Sequence, residues 1–238
     1  FTANGTADQW ANEVGPKALI TKTEAGYLLR LPDGRTRQFN FAGQLLSRKD
    51  ANGNQINYTH DGKNLKSITD NFGRTLSLGY NEAGKVATLT APIGVFTYAY
   101  GANNNLVSVT RPDGKQRTYL YENATNPHCL TGIVDETGIR VLTATYDTMG
   151  RVVTSAFANN REKVTIVYQA GFKRVITDSL GAVTTYQLES WNGVAQVKSF
   201  TGPGCSSCGS DSASQYTYDL RQQVLSQTDA RGVTSTYA

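Results

Sequence analysis

The stretch Tyr58-Thr59-His60-Asp61-Gly62-Lys63-Asn64-Leu65-Lys66-Ser67-Ile68-Thr69-Asp70-Asn71-Phe72-Gly73-Arg74-Thr75-Leu76-Ser77-Leu78-Gly79-Tyr80 decides the reading of this chain. Two short strand-like runs are separated by two turns, one ending in Asp61-Gly62 and one spanning Asp70 to Gly73. In the second run Leu76, Leu78 and Tyr80 alternate with Thr75, Ser77 and Gly79. That period of two predicts a strand with one buried face. A tyrosine followed by a turn then returns along the chain. It stands at Tyr58, Tyr80, Tyr100, Tyr121, Tyr146, Tyr168, Tyr186 and Tyr218, and Tyr237 opens a further segment. The spacings are 22, 20, 21, 25, 22, 18, 32 and 19. Self-similarity at such a period means an array of one supersecondary unit. Arrays make surfaces, shells or spacers more readily than one catalytic pocket.

The alternation recurs before most marker tyrosines, in Phe39 with Phe41, Tyr98 with Tyr100, Tyr119 with Tyr121, Ile166 with Tyr168 and Tyr216 with Tyr218. Residues two apart share a face of the pleat, so these side chains stack toward one side. Core packing and an aromatic row for ligand stacking both use what tyrosine offers, an apolar body with a polar tip.

The second turn has its own signature. Asp50, Asp70, Asp135, Asp178 and Asp229 each precede, by three residues, Gly53, Gly73, Gly138, Gly181 and Gly232. Asp at the first position of a type I turn caps backbone amides, and glycine at the fourth accepts positive φ. Leu31-Pro32-Asp33-Gly34 and Arg111-Pro112-Asp113-Gly114 are variants with Pro at the second position. A calcium loop at Asp50, Asn52 and Asn54 fits poorly, because Gly53 precedes Asn54 and no Glu closes the loop.

The composition is β-rich and turn-rich. Charged residues are 18%, with one Met and six Pro in 238 residues. The segment Asp8 to Leu19 alone has mild helical character, interrupted by Gly15-Pro16. Residues 1–26 therefore read as an irregular lead-in and residues 27–238 as the array. The net charge of +4 comes from scattered Lys and Arg, which speaks against a nucleic-acid face. No apolar run reaches the roughly 18 residues that a membrane-spanning helix needs. The chain starts at Phe1 and stops inside a repeat at Ala238, so both ends read as cut. Cut strand edges predict pairing with further copies.

One segment breaks the period. Thr201 to Ser212 is a small-residue insertion carrying Cys205 and Cys208 as Cys-x-x-Cys. A local disulfide fits an exported β protein best, with a metal knuckle and free thiols as the other readings. Cys129 is the odd cysteine and reads as a buried free thiol. The enzyme motifs sought are missing: no Gly-x-Ser-x-Gly elbow, no His-Glu-x-x-His, no phosphate loop. The two histidines, His60 and His128, read as surface turn residues. The residues thus indicate no catalytic site, no cofactor and no metal. Trp10 and Trp191 are candidates for stacking on sugars.

The repeat strongly resembles the tyrosine–aspartate (YD) repeats of the Rhs family. Tyr146-Asp147-Thr148-Met149-Gly150-Arg151-Val152 matches the family's Tyr-Asp-x-x-Gly-Arg-Leu pattern almost fully. Tyr80-Asn81-Glu82-Ala83-Gly84-Lys85-Val86 is a close variant, and Tyr218-Asp219 starts well before Gln222 replaces the glycine. The resemblance covers about residues 27 to 238. It implies β-hairpins that wind as a spiral sheet or partial β-shell, an all-β, solenoid-like fold. The family includes bacterial Rhs and wall-associated proteins, toxin-complex components and animal teneurins. By the same resemblance the chain is expected to be a non-catalytic segment of a secreted or cell-surface protein. Its partners are then flanking domains of a longer chain, or further copies through strand edges. A carbohydrate-binding, adhesive module is the alternative, with glycans or another cell surface as partner. Family members that enclose toxins carry an Asp-Pro-rich self-cleavage segment. This chain has no Asp-Pro dipeptide, so protease and toxin activities do not carry over.

Overall fold

The computed structural model describes all residues except 4, 7, 13, 14, 204–210 and 238; of 211–213 it describes only the backbone. Among the described residues there are 23 β-strands, one 3-10 turn at Ala158–Asn160 and no α-helix. The chain forms two compact units, residues 1–99 with 108–116, and residues 100–107 with 117–238.

In the first unit, strands follow one another as an antiparallel meander from Thr2–Ala3 through Gln9–Ala11, Leu19–Thr23 and Gly26–Arg30 to Val86–Ala91 and Gly94–Tyr100. The second unit repeats the pattern through Gly132–Val134, Arg140–Tyr146 and Val152–Phe157 to Val224–Asp229 and Thr234–Thr236. The all-β hairpin array read from the sequence is what folds.

Turn chemistry explains why the chain reverses where it does. At Asp70 the Gly73 amide donates to the Asp70 carbonyl at 3.1 Å and the Asp70 amide to the Arg74 carbonyl at 3.1 Å. Gly73 sits at φ 79°, a region that costs an L side chain strain and costs glycine none. This is a type I turn closed by a glycine bulge. The tyrosine turn has the same form, because the Gly150 amide donates to the Asp147 carbonyl at 3.0 Å and Gly84 to Asn81 at 2.9 Å. Where the tyrosine turn takes this form, as after Tyr80 and Tyr146, both turns are therefore one device. The turn after Tyr58 is shorter. Asp61 pairs with Asn64, so the loop is Gly62-Lys63, one step beyond the turn expected at Asp61-Gly62.

A second device is a register shift beside several turns. His60 pairs with Leu65 and Thr59 with Ser67, so Lys66 is extra. Val153 and Lys198 are skipped in the same way. Each extra residue is left unpaired and increases the local twist of the strand.

Three expectations need correction. The segment with mild helical character holds the strand Gln9–Ala11, paired with Leu19–Thr23, so strand pairing begins inside the lead-in. His60 lies in the strand Gln55–Asp61, not in a turn, because the strand runs on through Asp61. The insertion is more than a loop. Thr201, Gly202 and Pro203 pair with Ala213, Ser212 and Asp211, extending the hairpin of Val194–Pro203 with Asp211–Tyr218.

The faces of the strands are half-covered. Among the described residues the buried hydrophobics are Ala11, Ala18, Ala144 and Ala156, and no large side chain is fully buried. The alternation marks which face is apolar, and among the described residues the large side chains on it stay only half-buried or exposed.

Candidate functional site

The motif Tyr146 to Val152 builds a lock between successive repeats. The Asp147 Oδ1 accepts the amides of Met149 at 3.0 Å and Arg151 at 2.9 Å, capping the turn. Its Oδ2 accepts Arg151 Nε at 2.7 Å, and a second guanidinium nitrogen lies 2.6 Å away. Both nitrogens converge on one carboxylate oxygen, a charge-assisted contact stronger than a neutral hydrogen bond. The same guanidinium lies over the ring of Tyr168, 4.2 Å from its centroid, and Arg174 approaches that ring at 4.8 Å. The Tyr168 hydroxyl then donates to the Val152 carbonyl at 2.9 Å. The residues of the motif thus divide the work. Asp caps, Gly turns, Arg ties the cap to the next tyrosine, and Val presents a carbonyl beside the bulge.

The hydroxyl contact recurs. Tyr80 donates to Leu65 at 2.8 Å, Tyr146 to Leu130 at 2.6 Å and Tyr218 to Val197 at 2.7 Å. Leu65, Val152 and Val197 each directly precede the extra residue of a bulge. Tyr80, Tyr168 and Tyr218 therefore each donate to a backbone carbonyl beside a bulge of the preceding repeat. Burial pushes the Tyr146 and Tyr218 hydroxyls up from their ordinary range.

The carboxyls of Asp50, Asp70 and Asp147 sit below their ordinary range. For Asp147 the Arg151 side chain is the largest cause, followed by its amide. At Asp70 burial pushes the carboxyl up, and Arg74 with two backbone amides outweighs it, so it ends below the usual range. Asp50 is lowered by the Asn54 side chain first. Its oxygens are taken by Asn52 and Asn54 at 2.7–2.9 Å, which makes the turn a closed hydrogen-bond unit.

The marker tyrosines Tyr58, Tyr80, Tyr100, Tyr121, Tyr146, Tyr168, Tyr186 and Tyr218 are all half-buried. Gly53, Gly73, Gly114, Gly138, Gly181 and Gly232 occupy turn positions with φ between 79° and 92°. Trp10 lies edge-on to Tyr27 with centroids 6.4 Å apart, and Phe41 packs against Tyr27 at 5.8 Å. Trp10, Ile20, Tyr27, Leu29, Phe39 and Gly43 line an open apolar cavity of about 450 Å³. Trp191 is different. It ends the strand Val183–Trp191 at the Asn192-Gly193 hairpin turn and is 45% exposed. Cys129 is a half-buried free thiol, its Sγ 3.9 Å from the Gly150 carbonyl. Cys205 and Cys208 lie outside the described residues. His128 sits in a turn with Nδ1 2.8 Å from Asn105 Oδ1. Among the described residues no three His, Cys, Asp or Glu side chains gather as a metal site.

Sequence reasoning placed Arg151 in the repeat pattern but gave it no role, although an Arg directly after the turn glycine is the signal. It also missed the hydroxyl acceptors, for which no residue type is diagnostic.

The family model described as RHS Repeat matches residues 80–116. That stretch is similar to an RHS repeat, in line with the Tyr80 to Val86 variant. No curated protein matches the chain. Among solved structures, a Tc holotoxin pore of Photorhabdus luminescens aligns at 12% identity over 91% of this chain and 16% of that one, TM-score 0.34. A TcdB2-TccC3 structure aligns at 12% identity over 92% of this chain and 17% of that one, TM-score 0.34. A porin-like protein from Bacteroides uniformis aligns at 13% identity over 96% of this chain and 92% of that one, TM-score 0.24. Likenesses this weak carry no argument about fold or activity. The chain spans 16% and 17% of the length of the two toxin chains.

Proposed function

We propose that this chain is a structural, non-catalytic stretch of a secreted or cell-surface RHS-repeat protein, a wall that encloses or displays other domains. One observation carries this reading: the side chains that define the repeat are used for joining repeats. Asp147, Arg151 and Tyr168 point their polar atoms at one another and at backbone. Stability in such an array comes from neighbour contacts, so length can be extended without new chemistry. Residues 27–238 act as the array and 1–26 as its lead-in. Flanking domains of a longer chain, or further copies paired through strand edges, are the partners that an unclosed array takes. The test is electron microscopy of the polypeptide purified from its source. Hollow or wall-like particles larger than a 25.8 kDa chain support the reading, and a free globular particle of that mass defeats it.

A second reading, an adhesive carbohydrate-binding module, is favoured by Trp191, exposed beside a hairpin turn. Trp191→Ala should then abolish glycan retention without lowering Tm. A large fall in Tm would make Trp191 a packing residue.

A further inference from the structure

The apolar cavity at Trp10 has a charged neighbour on the same face of the strands. Cross-strand partners point the same way, and Leu29 pairs with Arg37, Arg37 with Arg48 and Arg48 with Ile56. Tyr27 pairs with Phe39, Trp10 with Ile20 and Ile20 with Leu29. Trp10, Ile20, Tyr27, Leu29 and Phe39 thus share a face with Arg37 and Arg48. Arg37 is two residues from Phe39, about 7 Å along a strand.

Arg37 and Arg48 stand directly opposite each other, an arrangement of like charges that destabilises a sheet. They line a separate cavity of about 230 Å³ with Arg35, Lys49, Asp50 and Asn54 among its other walls. Asp33 holds Arg35 at 2.6 Å. The single carboxylate, Asp50, has its oxygens taken by Asn52 and Asn54. Among the described residues neither Arg37 nor Arg48 has a side-chain hydrogen bond or ion pair. Two guanidinium forks with no protein acceptor match an oxyanion, which would also relieve their repulsion.

We propose that this face binds an amphiphilic anion. Its apolar or aromatic body fills the Trp10–Tyr27–Phe39 cavity, and its carboxylate or sulfonate is held between Arg37 and Arg48. A neutral sugar fits less well, since the cavity offers only the Trp10 indole N–H and the Tyr27 hydroxyl as polar side-chain groups. The site stands independently of the structural role proposed above.

Titration calorimetry with 2-naphthoate tests it, with 2-naphthalenemethanol as the neutral isostere. The intact chain should bind naphthoate saturably, and the alcohol at least about tenfold more weakly, the loss of one good charge-assisted contact. The double variant Arg37→Gln, Arg48→Gln should abolish that preference and bind the two ligands alike. Both arginines are exposed and mutually repelling, so the variant should melt no lower than the parent. If it melts lower, the single variants, each expected to reduce the preference, decide instead. Trp10→Ala should weaken both ligands equally. Equal binding of acid and alcohol to the parent, a preference that survives neutralising the arginines, or no saturable binding would overturn the proposal.

Discussion

Two repeats of the second unit share a turn and differ in what the turn is tied to. In the Tyr146 repeat, Gly150 takes the left-handed position, Arg151 bonds Asp147, and the Tyr168 hydroxyl reaches the Val152 carbonyl. In the Tyr218 repeat, Gln222 takes the left-handed position at φ 67° and Gln223 stands where Arg151 does. Asp219 still caps the turn, accepting the amides of Arg221 and Gln223 at 2.8 Å each. The bulge also survives, with Leu225 as the extra residue. The tie does not. The Tyr237 hydroxyl lies 3.5 Å from Gln227 Oε1, and Tyr237 is 49% exposed. In these two repeats the turn therefore rests on the aspartate, whereas the tie from the Tyr146 turn to the next repeat belongs to Arg151 and Tyr168.

The largest way to break this comparison is at Gly150. Valine at φ 75° is strained, and its Cβ would also meet Asn126 Oδ1 at 3.4 Å. Gly150→Val should cost about 2 kcal/mol. That is a fall in Tm of about 4–8 °C for a chain of this size, read by circular dichroism. A smaller loss than that from Gly150→Ala would show that conformation is not what glycine supplies. Next comes the hydroxyl. Tyr168→Phe leaves the Val152 carbonyl beside the bulge without its donor and should cost about 1 kcal/mol. Tyr237→Phe should change nothing measurable, and equal losses at the two tyrosines would erase the distinction between the repeats.

What the sequence disclosed follows from what residue identity encodes. Asp70, Gly73, Asp147 and Gly150 are legible because a capped turn with positive φ admits few other residues. Leu76, Leu78 and Tyr80 are legible because a period of two sorts faces. The bulges at Lys66, Val153 and Lys198 left no mark, because an extra residue can be of any type. Without the bulges, the acceptors of the tyrosine hydroxyls stay invisible. Gln9–Ala11 was missed because three residues are too few to show a period. Trp10 and Trp191 read alike as letters, yet one lines a cavity beside two arginines and the other ends a strand in solvent. That difference comes from cross-strand register, which a linear reading does not carry.

The arginine sharpens the comparison through pH. Arg151 is the main reason the Asp147 carboxyl sits below its ordinary range. A depressed carboxyl contributes stability that is fully present above its unfolded value, about 3.9, and is lost as pH falls through the folded value. Arg151→Met should raise the pH at which acid unfolding begins, and at neutral pH it should cost at least about 0.5–1 kcal/mol, because the contact with Tyr168 is lost together with the pairing to Asp147. Urea melts from pH 7 to pH 2 read both effects. Gln223→Met, which has no such ring or carboxylate fork to lose, should leave the acid limb where it is.

The smallest effect runs the other way. Gln222 carries a left-handed backbone penalty of about 1 kcal/mol or more that a glycine avoids. Glycine also loses more conformational freedom on folding, which offsets part of that gain. Gln222→Gly should therefore stabilise by about 0.5 kcal/mol, seen as a rise in Tm of about 1–2 °C. The gain should not depend on pH, because Asp219 keeps both of its amide donors whichever residue follows Arg221. A Tm that does not rise would mean that Gln222 gains from a contact as much as it loses to conformation. The two repeats would then differ in their turns as well as in their ties.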